Sequence, residues 1–93
     1  MQPLEVINNE QRQQFQVSVE GETAFMEYRF KDGVIVLMHT EVPEQLSGRG
    51  IATALVEFAF DYALKNNFPV KIYCPFVLMW LKRHPERAGQ LVK

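Results

Sequence analysis

Only one cysteine, Cys74, occurs among the 93 residues, so no internal disulfide can staple the chain. A lone thiol fits a reducing compartment, and the expected location is cytoplasmic. No apolar run approaches the roughly 20 residues that a membrane-spanning helix requires, so no membrane partner is expected. The first residues, Met1-Gln2-Pro3-Leu4-Glu5, lack the basic start and apolar stretch of a secretory leader. No charge of one sign dominates either. Ten basic residues stand among eleven acidic ones, for a net charge of −1. This argues against nucleic acid as the main partner, because binding a phosphate backbone draws on a clustered basic face. The one local basic cluster is Lys82-Arg83-His84, with Arg87 close behind. It reads either as a solvated helix end or as a contact to a small phosphorylated ligand. Repeats, low-complexity tracts and linkers are missing, and the length suits one domain over residues 1–93.

What is present is a change of period. Phe15 to Glu20 alternates apolar and polar residues, as a half-buried strand does. Ala24, Met26, Tyr28 and Phe30 share one face of a second such strand. Asp32-Gly33 then signals a hairpin. Val34 to His39 is almost wholly apolar, which predicts a central strand covered on both faces. Leu4-Glu5-Val6-Ile7 is a further strand candidate. Residues 51 to about 66 read as a helix, its apolar face made by Ile51, Ala52, Leu55, Val56, Ala59, Tyr62 and Ala63. Asp61 and Lys65 are spaced for an ion pair one turn apart. Val70 to Tyr73 is a short strand. Cys74-Pro75 opens a second helix over 76–83, since proline suits a first helical turn, and His84-Pro85 ends it. A last turn is expected over 87–92. The expected fold class is α+β: a mixed, largely antiparallel sheet followed by a β-α-β-α unit with a right-handed crossover.

The junction between strand and first helix carries chemistry. Backbone N–H groups at a helix start have no intrahelical partners, and the helix dipole is positive there. Gly48 and Gly50 let the chain approach a bulky anion closely. Gln45-Leu46-Ser47-Gly48-Arg49-Gly50 is thus a candidate phosphate turn, and Arg49 within it is placed to pair with a phosphate. A plain strand–helix turn is the alternative. Neither the dinucleotide-binding fingerprint nor the P-loop fits this spacing.

Gln45-x-x-Gly48-x-Gly50-Ile51-Ala52, preceded by Val42-Pro43, resembles the Gln/Arg-x-x-Gly-x-Gly/Ala motif of GNAT acetyltransferases. His39-Thr40-Glu41-Val42-Pro43, Cys74-Pro75-Phe76-Val77 and Arg83-His84-Pro85-Glu86 are similar to a small GNAT-like subfamily of about this length. The resemblance covers nearly the whole chain and implies a minimal GNAT-like domain over 1–93. It implies acetyl-CoA or coenzyme A as co-substrate, with no metal. The pyrophosphate would lie on the turn from Val42 through Ala52. The pantetheine arm would lie between two splayed strands, beside Cys74 and Phe76. The partner would be an amine, on a small molecule or a protein. Two helices and the final strands of a full GNAT fold have no counterpart here. Nor does the tyrosine that usually protonates the coenzyme sulfur, since Cys74 to Arg83 contains none.

Acetyl transfer needs a base for the ammonium, a polarised carbonyl and an acid for the leaving thiolate. Cys74, at a helix start, could be that acid, a nucleophile or a small buried hydrophobe. Glu41 is a candidate base, and His39, two residues earlier on the same strand face, a candidate relay. Both could equally be ordinary strand residues. His84 is either a helix-end cation or a contact closing the coenzyme site. Phe58, Phe60, Phe76 and Trp80 are read as core. The leading function is acetyl transfer to an amine. The alternative is a module that binds coenzyme A or an acyl-CoA without turnover.

Overall fold

The computed structural model describes residues 4–92. Five strands form one sheet in the order of the chain: β1 (Ile7–Asn9), β2 (Gln14–Val19), β3 (Glu22–Lys31), β4 (Val34–Glu41) and β5 (Val70–Ile72). The first three pairings are antiparallel and β4–β5 is parallel. Between β4 and β5 runs α1 (Ile51–Lys65), entered through a 3-10 turn at Glu44–Leu46. After β5 come α2 (Pro75–Arg83) and a 3-10 helix, Pro85–Gln90. The expected mixed α+β architecture is therefore the observed one.

The β3–β4 hairpin follows from local chemistry. Asp32 and Gly33 carry φ of 53° and 79°, the left-handed pair that a two-residue hairpin turn requires. Alternation then sorts the strands. Phe15, Val17, Ala24, Met26, Tyr28, Ile35 and Leu37 point to one side and are buried. α1 seals this side with Ile51, Leu55, Val56, Ala59, Phe60 and Ala63. Phe60 meets Trp80 of α2 at 5.0 Å between ring centroids, so both helices share the core. Removing so large a ring would cost about 3–5 kcal/mol.

Four expectations need correction. The first strand begins at Ile7, not Leu4. Its ladder runs from Ile7, opposite Gln16, to Asn9, and the polar Asn8 is held by a 2.6 Å hydrogen bond from the Tyr28 hydroxyl. β4 is covered by helices on one face alone, and Met38 is exposed on the other. Asp61 pairs not with Lys65 but with Arg87, at 2.7 Å, because the second 3-10 helix packs against α1. Phe76 is 38% exposed, since the buried stripe of α2 runs through Val77 and Trp80, and Phe76 lies at its margin, about 40° of helix from Trp80 and about 100° from Val77.

One irregularity matters for function. Glu27 faces His39, but Tyr28 faces Leu37, so Met38 is an extra residue in β4. Such a bulge reverses the alternation. Leu37 and Thr40 point to the core, whereas Met38, His39 and Glu41 point away from it.

Burial pushes the Tyr28 phenol above its usual value of 10, with the nearby Tyr62 and Glu10 adding to the shift. The proton is thus held more tightly in the folded than in the unfolded chain. The resulting stability is complete below pH 10 and is lost as pH rises through the folded value. Urea unfolding should show the midpoint falling as pH rises above 10. In Tyr28→Phe that fall should be smaller, at a cost of about 1 kcal/mol for the lost Asn8 bond.

Candidate functional site

β4 and β5 run together for three residues and then part. The last shared rung is Leu37 opposite Ile72. The Leu37 carbonyl there accepts two hydrogen bonds, from the N–H of Tyr73 at 2.9 Å and of Cys74 at 3.2 Å. After that β5 turns into α2, while β4 continues to Glu41 with its bulge. Across the opening the closest side-chain contact is Thr40 Oγ1 to Cys74 Sγ, at 3.3 Å. The two strands therefore part just before the start of α2.

The turn at the head of α1 is open, bare backbone. Gly48 and Gly50 have φ of 78° and 76°, and nothing lies within 4 Å of where either Cβ would stand. Gly50 is the N-cap and offers no side chain to the helix. The N–H groups of Leu46 and Ser47 are taken by Pro43 and Glu44 carbonyls. Among the described residues, no protein acceptor meets the N–H groups from Gly48 to Thr53. These free N–H groups stand at the positive end of the dipole of a four-turn helix. This open space and donor set fit a pyrophosphate. Leu46 and Ile51 bury their side chains in the core, so they can offer only backbone. The Ser47 hydroxyl is bonded to the Glu44 carbonyl at 2.8 Å. Val42 is half-buried against the core, and Gln45 is exposed. Arg49 reaches back to Glu20 at 2.8 Å instead of into the turn.

The remaining candidates divide. His39 Nε2 lies 3.6 Å from Glu41 Oε2, so these two stand together, both more than half exposed. Cys74 is 3% exposed, on the core side of the cleft, and caps α2 without a side-chain hydrogen bond. Its neighbour is Thr40. Thr40 was missed from the sequence, although its place between His39 and Glu41 already sets it on the opposite strand face. His84 stacks on Trp80 at 4.3 Å, and its Nδ1 is 2.9 Å from the Trp80 carbonyl. It behaves as a helix-end residue tied to its own helix. Phe76 stands exposed in the first turn of α2, two residues beyond Cys74. No cluster of three or more metal-ligating side chains occurs among the described residues, and no helix there is long and apolar enough to cross a membrane.

Comparison with known proteins agrees with the fold. Residues 14–91 match the family described as GCN5-related N-acetyl-transferase. The chain belongs to that family. Protein NATD1 of Mus musculus is 34% identical over 86 residues, covering 89% of this chain and 78% of the relative. Protein NATD1 of Homo sapiens is 33% identical over 86 residues, covering 89% and 76%. The solution structure of a GCN5-like candidate N-acetyltransferase from Staphylococcus aureus superposes with a TM-score of 0.74. It is 25% identical and covers 99% of this chain and 91% of that one. In this chain β5 lies at the sheet edge, with Leu91 bridged beside Val70.

Gly50→Ala should fold, because its Cβ meets open space, but at about 1–2 kcal/mol of left-handed strain. A melting temperature lower by roughly 4–8 °C per kcal/mol is expected. Gly89→Ala, equally open and without positive φ, should melt within a degree or two of the parent, well under about 0.5 kcal/mol.

Proposed function

We propose that the chain binds acetyl-CoA and transfers its acetyl group to an amine. The observation that carries this reading is the unpaired run of N–H groups from Gly48 to Thr53, at the start of the helix that joins β4 to β5. Gly48, Arg49, Gly50, Ile51 and Ala52 hold the pyrophosphate through backbone N–H. Val42, Gln45, Leu46 and Ser47 shape the approach to it. The cleft takes the pantetheine arm, with Phe76 at its rim.

The reaction forms a C–N bond and breaks the thioester C–S bond. One proton must leave the ammonium, and one must reach the departing sulfur. Glu41, with His39 beside it, takes the first on the outer face of the sheet. Cys74 serves the second from the core side, where it either gives its thiol proton to the leaving thiolate or first accepts the acyl group. Thr40 orients that thiol through the 3.3 Å contact. A positioned proton-transfer group of this kind contributes about 10²–10⁴-fold. His84 supports Trp80 at the end of α2. No metal takes part, and the setting is cytoplasmic. The whole chain acts as one minimal domain.

Calorimetric titration with acetyl-CoA should give micromolar binding, about −8 kcal/mol. Gly48→Val should abolish it and leave the circular dichroism spectrum unchanged. Lack of binding by folded wild-type protein would refute the reading. Cys74→Ala should keep binding and lose turnover against an amine panel. Wild-type protein that binds but acetylates nothing would favour the binding-module alternative.

A further inference from the structure

The outer face of the sheet holds a groove of about 640 Å³ that the transfer chemistry leaves unused. Its floor is Val34, Val36 and Met38, successive outward residues of β4. Val36 is 7% exposed although no helix lies over it. Arg29 of β3 and Lys71 of β5 are its two cross-strand neighbours, so their side chains flank it. With strands about 4.8 Å apart, the backbones of these two cations are about 10 Å apart. Lys31 stands one rung further, beside Val34. Asp32 is the single carboxylate in the lining, against three cations. Glu27, 3.8 Å from Arg29, lies outside the lining. A net positive groove in a chain of net charge −1 is a local concentration, not a general surplus.

The groove also opens onto the cleft. Met38 is the bulged residue and Tyr73 the last residue before Cys74, and both line it. The Lys71 ammonium lies 5.3 Å over the Tyr73 ring, which holds that charge at the cleft end. His39 and Glu41 continue the same face of β4.

We propose that this groove seats the acceptor, and that the acceptor amine belongs to an acidic peptide segment. The identity of this segment as acceptor rests on the acetyl-transfer reading, whereas its docking does not. From Val34 to Met38 the groove spans about 13 Å of strand, the length of about four extended residues. That suits a stretch of chain better than a small amine, which would fill one rung. Carboxylates two to four residues from the amine (about 7–13 Å of extended chain) fall between Arg29 and Lys71, and apolar side chains between them cover Val36. A basic segment would set like charges against Arg29, Lys31 and Lys71, which electrostatic complementarity disfavours.

The test is titration of the ¹⁵N-labelled full chain, without coenzyme, with two peptides. One is Gly-Lys-Gly-Glu-Val-Glu-Gly, and the other replaces every Glu with Lys. The acidic peptide should give saturable shifts at the amides of Val34 to Met38 and Lys71 to Tyr73, binding at least about tenfold tighter than the basic one. Binding should weaken as salt rises from about 0.01 M to 0.1 M, where the screening length falls about threefold. Lys71→Glu together with Arg29→Glu should reverse the preference, and Lys71→Gln, the milder change, should weaken the acidic peptide alone. Absence of saturable shifts, equal binding of both peptides, or a preference unmoved by these variants would overturn the assignment. A separate coenzyme A titration of the same sample reports the acetyl-transfer reading. Coenzyme binding without peptide binding overturns the groove alone. Peptide binding without coenzyme binding overturns the peptide's role as acceptor.

Discussion

Everything in the candidate site depends on one backbone event, the end of pairing between β4 and β5. A parallel pair would normally continue its ladder. Here the Leu37 carbonyl takes two N–H donors at once, and the strands then separate. Pro75 enforces the separation, because it starts α2 and cannot donate a ladder hydrogen bond. The Met38 bulge bends β4 in the same region. The result is an opening through the sheet whose two sides differ: Thr40 and Cys74 on the core side, His39 and Glu41 on the outer side.

The turn before α1 depends on the same arrangement from the other end. β4 must end close to the helix start for a ligand to touch both. Val42-Pro43 and one 3-10 turn make that connection short. Burial of Leu46 and Ile51 on either side of the glycines fixes the turn to the core. The glycines can then hold positive φ without freedom to wander, which keeps the N–H groups pointed at open space. Rigid anchors flanking bare backbone are what an anion site needs, since preorganised donors lose little entropy on binding.

Much of this was legible in the sequence. Strand alternation, the Asp32-Gly33 hairpin and the broad apolar face of α1 gave the α+β order, because burial on one face leaves a period that can be read. The Gly48-x-Gly50 turn was legible because positive φ and a helix start have a residue signature. The bulge at Met38 was not, since a continuous apolar run carries no mark of register. The same run hid which face of β4 would stay open, for residues apolar on both sides predict cover on both. The pairing of Asp61 with Arg87 instead of Lys65 is a tertiary contact across 26 residues, beyond any local pattern. Phe76 was misjudged for a simpler reason. Spacing of four residues from Trp80 shows a shared side of the helix, not where the buried stripe is centred.

The account centres on free N–H groups in the turn, and hydrogen exchange measures these directly. In the free protein the amides of Gly48 to Thr53 should exchange at near-unprotected rates, unlike those in the body of α1. Saturating coenzyme A should slow them by about tenfold or more, and leave the hairpin amides of Gly21 and Gly33 unchanged. Slow exchange of the turn amides in the free protein, or protection by coenzyme A that falls elsewhere, would contradict the account.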